Sequence, residues 1–370
     1  MRGRILLLLL LFPCVIHAQN IYSNEFLDIG AGARGLAMAN SVGASVDDIT
    51  AMYYNPAGLA AMTENVEVNF MHADYFAGVL NYDFGGIAFK SGPSSYFGVS
   101  LVRFGADNIP NTFQLIDPNG QVNYSQVTAF SAADYALFVT FAKNVTFGRY
   151  RYHGHRKFRF GGNMKIIRRV VGTFGSSWGF GFDGGMQYEQ DKWGFSLVAK
   201  DLTTTYNAWT YTYNDQQKQV LASLGSEVPV SSVEITQPSI LGSIKRTFNL
   251  SDNLSLLAEA GADATFDGRR NVPIATNYFS IDPHGGFEFG YKKVIFLRGG
   301  VGNFQTYTNN NVSQNVVIGF SPSVGAGVVL GRFVIDYAFT NISSDQEAGT
   351  YSNIISLKYK FEKEKKRIVD

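Results

Sequence analysis

The sequence predicts an all-β fold: a transmembrane outer-membrane β-barrel of about 14 antiparallel strands with an N-terminal hatch, or plug, segment. Three observations predict it. Only 16% of the residues are charged, whereas soluble proteins average about 25%. Segments in which apolar and polar residues alternate with a period of two recur along the chain. The connections between these segments are alternately long and short, which is typical of barrels with long extracellular loops and short periplasmic turns.

Residues 1–18 are predicted to be a secretory signal peptide. Arg2 and Arg4 form a charged start, an apolar run follows, and Ala18 precedes a plausible cleavage point. The apolar run is shorter than the roughly 20 residues that a membrane helix needs. Cys14 is the only cysteine and lies in this segment. We therefore expect a mature chain without disulfides or thiol chemistry.

Residues 19–63 form the second predicted unit, the hatch. This stretch is rich in Gly and Ala and shows little alternation, and small residues allow close backbone packing. A barrel of about fourteen strands has a lumen too wide for the side chains of its wall to fill. We expect the segment to lie in that lumen, with Arg34, Asp47 and Asp48 facing polar groups.

The barrel itself is predicted for residues 64–361. The alternation is clearest in residues 333–340, where Ile335 and Tyr337 share one face and Asp336 lies on the other. Alternation alone also fits a soluble β-sandwich. A sandwich, however, has no reason to keep long and short connections in strict alternation, so the loop lengths favour the barrel.

The connections place the loops and the chain end. Long polar stretches at residues 106–130, 203–231 and 267–278 are interleaved with tight turns, for example near Gly92. The long stretches are predicted to be extracellular. Residues 362–370 are charged and are predicted to be a periplasmic tail, as an even number of strands would place both termini on that side.

The N-terminal stretch resembles that of a known family. Residues 26–35 read Phe-Leu-Asp-Ile-Gly-Ala-Gly-Ala-Arg-Gly, and an Asp-Asp pair and the motif Asn-Pro-Ala-Gly-Leu follow. These motifs are similar to the N-terminal signature of the PorV/PorQ family, which is related to the FadL long-chain fatty-acid channels. The matching signature positions are Arg34, Gly35, Asp47, Asp48, Asn55 and Pro56.

The resemblance implies a non-enzymatic component of the type IX secretion system in the outer membrane of a Gram-negative bacterium. The implied partners are the translocon barrel, the C-terminal signal domain of secreted cargo, and proteins of a surface attachment complex. Exposed aromatic residues in long loops are typical anchors of protein interfaces, although they also pack loop on loop or form the interfacial girdle. The candidate partner-binding residues are Tyr206, Trp209, Tyr211, Tyr213 and Phe113.

The alternative function is a FadL-like channel for a hydrophobic small molecule. This hypothesis rests on analogy of fold, which is a weak argument for function. It predicts an apolar pocket in the lumen and a lateral exit through the wall. The polar residues on the predicted lumen faces count against it: Glu259, Asp263, Asp336, Lys165 and Lys200.

The sequence offers no convergent set of catalytic or metal-binding residues. His153 and His155 lie two residues apart with no carboxylate or cysteine nearby, which makes a poor metal site. Asp282 and His284 share one strand face, which favours a polar pair lining the lumen over a hydrolytic pair. The net charge of +1 gives nucleic-acid binding no support. We expect no enzyme activity, cofactor or metal, and contacts with outer-membrane lipid and lipopolysaccharide.

Overall fold

One antiparallel sheet closes on itself to form a barrel. The first strand, β1 (Val66–Tyr75), pairs with β2 (Leu80–Lys90) on one side and with the last strand, β17 (Tyr351–Phe361), on the other. This closure removes the two edge strands that an open sheet would have. The strands between them are β3 (Ser95–Asn111), β4 (Thr128–Val145), β5 (Arg156–Val171), β6 (Gly175–Gln190), β7 (Trp193–Lys200), β8 (Thr205–Tyr211), β9 (Ser231–Thr236), β10 (Ser239–Asn249), β11 (Leu254–Thr265), β12 (Ile274–Ala275), β13 (Ser280–Tyr291), β14 (Ile295–Asn309), β15 (Asn315–Leu330) and β16 (Phe333–Asn341).

The predicted signal peptide, the predicted tail and the turn that carries His153 and His155 lie outside the described residues. The computed structural model describes residues 23–116, 120–145, 156–309, 315–341 and 351–361.

These segments make fourteen crossings of the wall. Strands β7 and β8 follow each other along one crossing, and both pair with β6. Strands β9 and β10 form the next crossing in the same way. The two-residue β12 lies in a loop and pairs with β13. The predicted fourteen-strand antiparallel barrel is therefore confirmed.

The helices are short and lie outside the wall ladder. None of them, within the part of the chain that the structure describes, is long and apolar enough to cross a membrane. They are α1 (Ala33–Ala37), α2 (Ala51–Tyr54), α3 (Asp215–Ser223) and the 3-10 helices Glu25–Leu27, Pro56–Ala61 and Tyr124–Gln126.

The exposure pattern of the wall is the reverse of that of a soluble protein. In β16 the apolar side chains of Ile335 and Tyr337 are 39% and 40% exposed on the outside, whereas Asp336 between them is only 4% exposed. Strands β1, β3 and β6 alternate in the same way, with Phe70, Leu101 and Phe180 on the outside. An apolar outer surface around a polar interior suits the hydrocarbon layer. The chain is an outer-membrane β-barrel, as predicted.

Much of the hydrophobic core is formed by residues 23–62, which pack on inward-facing wall side chains. Met38, Met52 and Leu59 of this N-terminal segment are fully buried, as are Met71 and Phe84 of the wall. We call residues 23–62 the N-terminal segment from here on. Its contacts run around much of the inner wall, including β3 to β6 and β14 to β17.

Glycines on the inner wall allow this close approach. A methyl group on Gly161 of β5 would overlap the backbone of Pro56, and one on Gly185 of β6 would overlap the side chain of Asn55. Both Asn55 and Pro56 are signature positions of the sequence. The backbone of the N-terminal segment therefore lies directly against the backbone of β5 at this point, and the side chains of Asn55 and Pro56 lie directly against β6.

We predict that Gly161→Ala destabilises the barrel by about 1–3 kcal/mol, because the added methyl overpacks a rigid backbone contact. The matched control is Gly162→Ala, whose methyl would lie 3.5 Å from its nearest neighbour, the backbone oxygen of Asp183. Urea unfolding from lipid vesicles, followed by tryptophan fluorescence, measures both. Equal losses in the two variants would contradict the contact with Pro56.

Candidate functional site

Arg34 attaches the N-terminal segment to one side of the wall. Its guanidinium Nε donates to Glu288 Oε2 at 2.9 Å, and the same carboxylate oxygen accepts from Arg298 at 2.7 Å. Arg298 also donates to Asp336 at 2.7 Å. Burial alone would lower the pKa of Arg34, but the negative charges of Glu288 and then Asp47 raise it above its ordinary value. Arg34 is thus a permanent charge neutralised by the wall.

Asp48 attaches the segment to the last strand of the wall, β17. Its carboxylate accepts from Lys358 of β17 and from the backbone and hydroxyl of Thr50. Burial by itself would raise the pKa of Asp48, but the Lys358 ammonium and these hydrogen bonds hold it well below its usual range. The neighbouring Asp47 is 63% exposed and approaches Arg34 only to 3.9 Å. The two acidic signature positions therefore differ in their surroundings.

Two tyrosines order the glycine-rich turn that precedes α1. The Tyr53 hydroxyl donates to the Leu27 carbonyl at 2.5 Å and accepts from the Gly30 amide at 2.8 Å. Tyr54 accepts from the Ala31 amide at 3.0 Å. Gly30 has a φ of 116°, a conformation that a side chain would strain. Gly35, the remaining signature glycine, has no room for a methyl beside the Tyr54 ring.

A cavity of about 600 Å³ lies between the N-terminal segment and the wall, towards the strand ends that carry the long loops. One part of its lining is apolar and includes Tyr53, Phe138 and Val198. Another part carries carboxylates, among them Asp28 and Asp263. The cavity can accept an organic molecule of moderate size, since ligand pockets commonly measure about 300–1,000 Å³.

Glu25 lines this cavity from the N-terminal segment. Its side chain is half exposed to the cavity and lies 3.8 Å from Arg270. Burial within the barrel and the nearby charge of Asp28 raise the pKa of Glu25 to about 7, and Arg270 offsets only part of this effect. The pKa of Asp28 is also raised, chiefly by burial. Carboxylates are therefore crowded at this end of the cavity.

The wall is interrupted where the cavity reaches it. Residues 201–204 separate β7 from β8, and residues 237–238 separate β9 from β10 at the facing position. Neither stretch belongs to the ladder between these two crossings, and Pro238 has no amide hydrogen to donate. Asp201, Gln237 and Pro238 all line the cavity.

A buried ion cluster holds the interruption in place. Lys165 of β5 is 3% exposed and lies 2.8 Å from Asp183 and 2.6 Å from Asp201. The Asp201 amide donates to Asp183 Oδ1 at 2.9 Å, and the Leu202 amide donates to the Phe182 carbonyl at 2.8 Å. Residues 201–204 are thus held against β6 by hydrogen bonds, while their other side faces residues 237–238, which are outside the ladder.

The interruption also corrects one sequence-based prediction. In β7, before the interruption, even-numbered residues such as Val198 point inward. In β8, after it, odd-numbered residues such as Asn207 point inward. This change of phase breaks the period-two pattern, so residues 203–231 read as one long loop. Tyr206, Trp209 and Tyr211 instead lie on strand β8.

The aromatic residues predicted to bind a partner mostly pack on one another. Trp209 is 7% exposed, and its ring is stacked 5.8 Å from that of Tyr211. Tyr213 lies 6.5 Å from Tyr211 and 6.4 Å from Phe113. Tyr206 differs, since it points outward and is 50% exposed. Partner binding by these residues stays a prediction.

A Ser-His-Asp arrangement in the lumen was not found from the sequence, because its members lie far apart in the chain. Ser41 Oγ is 2.7 Å from His284 Nδ1, and His284 Nε2 is 3.3 Å from Asp263. Ser41 is fully buried, so its hydroxyl cannot reach a substrate. The contact joins the N-terminal segment to β13. The described residues also hold no group of three or more His, Cys, Asp or Glu side chains suited to a metal ion.

Solved structures share this fold. The monoaromatic hydrocarbon channel CymD superposes with a TM-score of 0.53 at 12% identity, over 90% of this chain and 98% of its own. The toluene transporter TodX of Pseudomonas putida superposes with a TM-score of 0.51 at 11% identity, over 90% and 98% of the two chains. No protein-family model matches the sequence, and no curated protein matches it. At these identities the likeness establishes the fold alone.

The secretion function predicted from the PorV/PorQ resemblance is wrong. CymD and TodX, which share the fold over most of both chains, are a hydrocarbon channel and a toluene transporter, and this favours the alternative hypothesis of a small-molecule channel. The resemblance misled because it rested on a short N-terminal signature, whose residues serve contacts with the inner wall. The implied translocon, cargo and attachment-complex partners stay predictions.

We predict that Asp48→Asn destabilises the protein by about 3–5 kcal/mol, because it leaves the buried Lys358 ammonium without its partner. Asp47→Asn is the matched control and should change stability by no more than about 0.5 kcal/mol, since Asp47 is exposed. Urea unfolding from vesicles at neutral pH measures both. Similar stability of the two variants would show that the Lys358 pair does not anchor the segment.

A second prediction concerns pH. Since the pKa of Glu25 in the folded protein is about 7, above its ordinary 4.5, the folded state retains a proton that the unfolded state has released. The stabilisation from this bound proton is fully present below the pKa of Glu25 in the unfolded chain, and it is lost as the pH rises through about 7. Glu25→Gln should remove this contribution to the pH dependence of the free energy of unfolding. Unfolding measured at pH of about 5 and about 8 tests it, and an unchanged slope in the variant would contradict the assignment.

Proposed function

We propose that the protein is a non-enzymatic channel that carries small, largely hydrophobic molecules into or across the outer membrane. The observation that carries the proposal is the cavity, which lies inside the barrel and extends to the interruption of its wall at Asp201, Gln237 and Pro238. The fold shared with a hydrocarbon channel and a toluene transporter supports it.

The position of the cavity supports an exit through the side of the barrel. The N-terminal segment is held at its base by the Arg34–Glu288 and Asp48–Lys358 pairs, and breaking such buried pairs costs several kcal/mol. A path straight down the lumen would require this segment to move. A path through residues 201–204 and 237–238 needs no such movement, and it delivers an apolar molecule into the lipid, where its transfer is favourable.

The polar lumen does not exclude this function. Two of the five lumen charges that counted against a channel are paired with other wall residues: Lys165 with Asp183 and Asp201, and Asp336 with Arg298. Paired charges are less costly to bury beside an apolar molecule than isolated ones. The apolar lining at Tyr53, Phe138 and Val198 remains available.

Uptake of a hydrophobic dye tests the proposal. Intact Gram-negative cells that express the protein should show a faster fluorescence rise with N-phenyl-1-naphthylamine, which fluoresces once it enters lipid. Gln237→Trp should abolish most of this gain, because an indole at the cavity wall blocks the interruption. The same change at the exposed Gln216 of α3 is the control and should have no effect.

Either of two results would contradict the proposal. One is uptake no faster than in cells without the protein, which would remove the channel function. The other is a gain that Gln237→Trp leaves intact, which would leave a channel but exclude this exit. Heat-modifiable migration of each variant on gels confirms that the barrel has folded.

A further inference from the structure

The charge of the cavity is unbalanced. Its described lining contains seven carboxylates but only three permanently cationic side chains. Two of the cations are already engaged: Lys165 lies between Asp183 and Asp201, and Arg270 binds Asp267. The third, Lys200, has its ammonium 5.2 Å from the centre of the Tyr53 ring and partly offsets Asp28.

The excess is concentrated at two facing aspartates. Asp263 of β11 and Asp282 of β13 are register partners in the ladder, and like charges directly opposite each other on one sheet face are destabilising. Asp263 is 38% exposed, and its partner in the described residues is His284 at 3.3 Å.

Unsatisfied hydrogen-bonding atoms accompany this pair. Oδ1 of Asp282 and Oγ1 of Thr265 are buried and have no hydrogen-bond partner among the described residues. Both residues line the cavity, and buried polar atoms in native proteins normally have a partner. Asp28 lines the cavity too, and its carboxylate makes no ion pair within 4 Å in the part of the chain that the structure describes.

We propose that the cavity binds amphipathic organic amines, with the ammonium group beside the Asp263–Asp282 pair and the apolar body against Tyr53, Phe138 and Val198. This inference rests on the proposed function and narrows its substrate class. An ammonium carries three donors and relieves the repulsion of the facing aspartates. Anions of the same size are disfavoured by the same carboxylates.

The raised pKa values of Glu25 and Asp28 accord with this assignment. Negative charge is costly at this end of the cavity until a cation enters. Apart from Lys165, which lies between Asp183 and Asp201, the basic groups of the lining are Lys200, Arg270 and His284. Lys200 and Arg270 lie on the sides of Asp28 and Asp267, which leaves the Asp263–Asp282 pair as the place for a ligand cation.

Binding of three matched compounds to the full-length protein in detergent tests the inference: 4-phenylbutylamine, 4-phenylbutanol and 4-phenylbutyrate. Calorimetric titration should give the amine an affinity about tenfold or more above that of the alcohol, with the acid weakest. The amine preference should fall with added salt, because screening weakens charge interactions.

Variants locate the contact. Asp282→Asn and Asp263→Asn should each reduce the affinity for the amine about tenfold while leaving the alcohol unchanged. Asp83→Asn on the outer face of β2 is the control and should change neither, since Asp83 contacts His72 outside the barrel. If one of the two lumen variants fails to fold, the other and the three-compound series on the unaltered protein still decide.

The outcomes separate this inference from the channel function. Equal affinity for amine and alcohol would overturn the amine site while leaving a channel for neutral molecules. An amine preference that survives both lumen variants would also overturn it. Failure of all three compounds to bind, together with no gain in dye uptake, would remove both the amine site and the channel.

Discussion

The need to fill a wide lumen governs the rest of this structure. A closed ring of fourteen crossings encloses more space than its inward side chains can occupy. The N-terminal segment supplies both volume and charge. Arg34 of this segment pairs with Glu288 of the wall, which Arg298 also contacts, and Asp48 pairs with Lys358. The segment therefore completes the charge pairing that the wall residues begin among themselves. The same segment thus both occupies the lumen and pairs with charges of the wall.

That interaction determines where small residues occur. A backbone can approach a sheet closely only where the sheet lacks side chains, and Gly161 and Gly185 provide this place for Asn55 and Pro56. The signature that resembles a secretion family is accounted for by these packing and pairing requirements. A fourteen-strand barrel with a segment in its lumen meets the same packing and pairing requirements whatever molecule it transports. The signature therefore indicates the architecture and not the function.

The sequence predicted the fold well because period-two alternation and loop length are local properties. It could not predict which aspartate of the adjacent pair is anchored, since Asp48 meets Lys358 from the other end of the chain. It also misplaced Tyr206, Trp209 and Tyr211, because the interruption of the wall shifts the alternation by one residue. The cavity could not be predicted for a different reason: its lining comes from the N-terminal segment and many strands at once.

The interruption and the cavity are best understood together. A break in a membrane-facing ladder leaves backbone groups without partners, a cost that a barrel wall normally avoids. Here the buried Lys165 and two aspartates stabilise residues 201–204. Specific ion pairs therefore hold the interruption in its conformation. This feature is costly, it is reinforced by specific contacts, and it lies where Asp201, Gln237 and Pro238 line the cavity. These observations together support the proposed route between cavity and lipid.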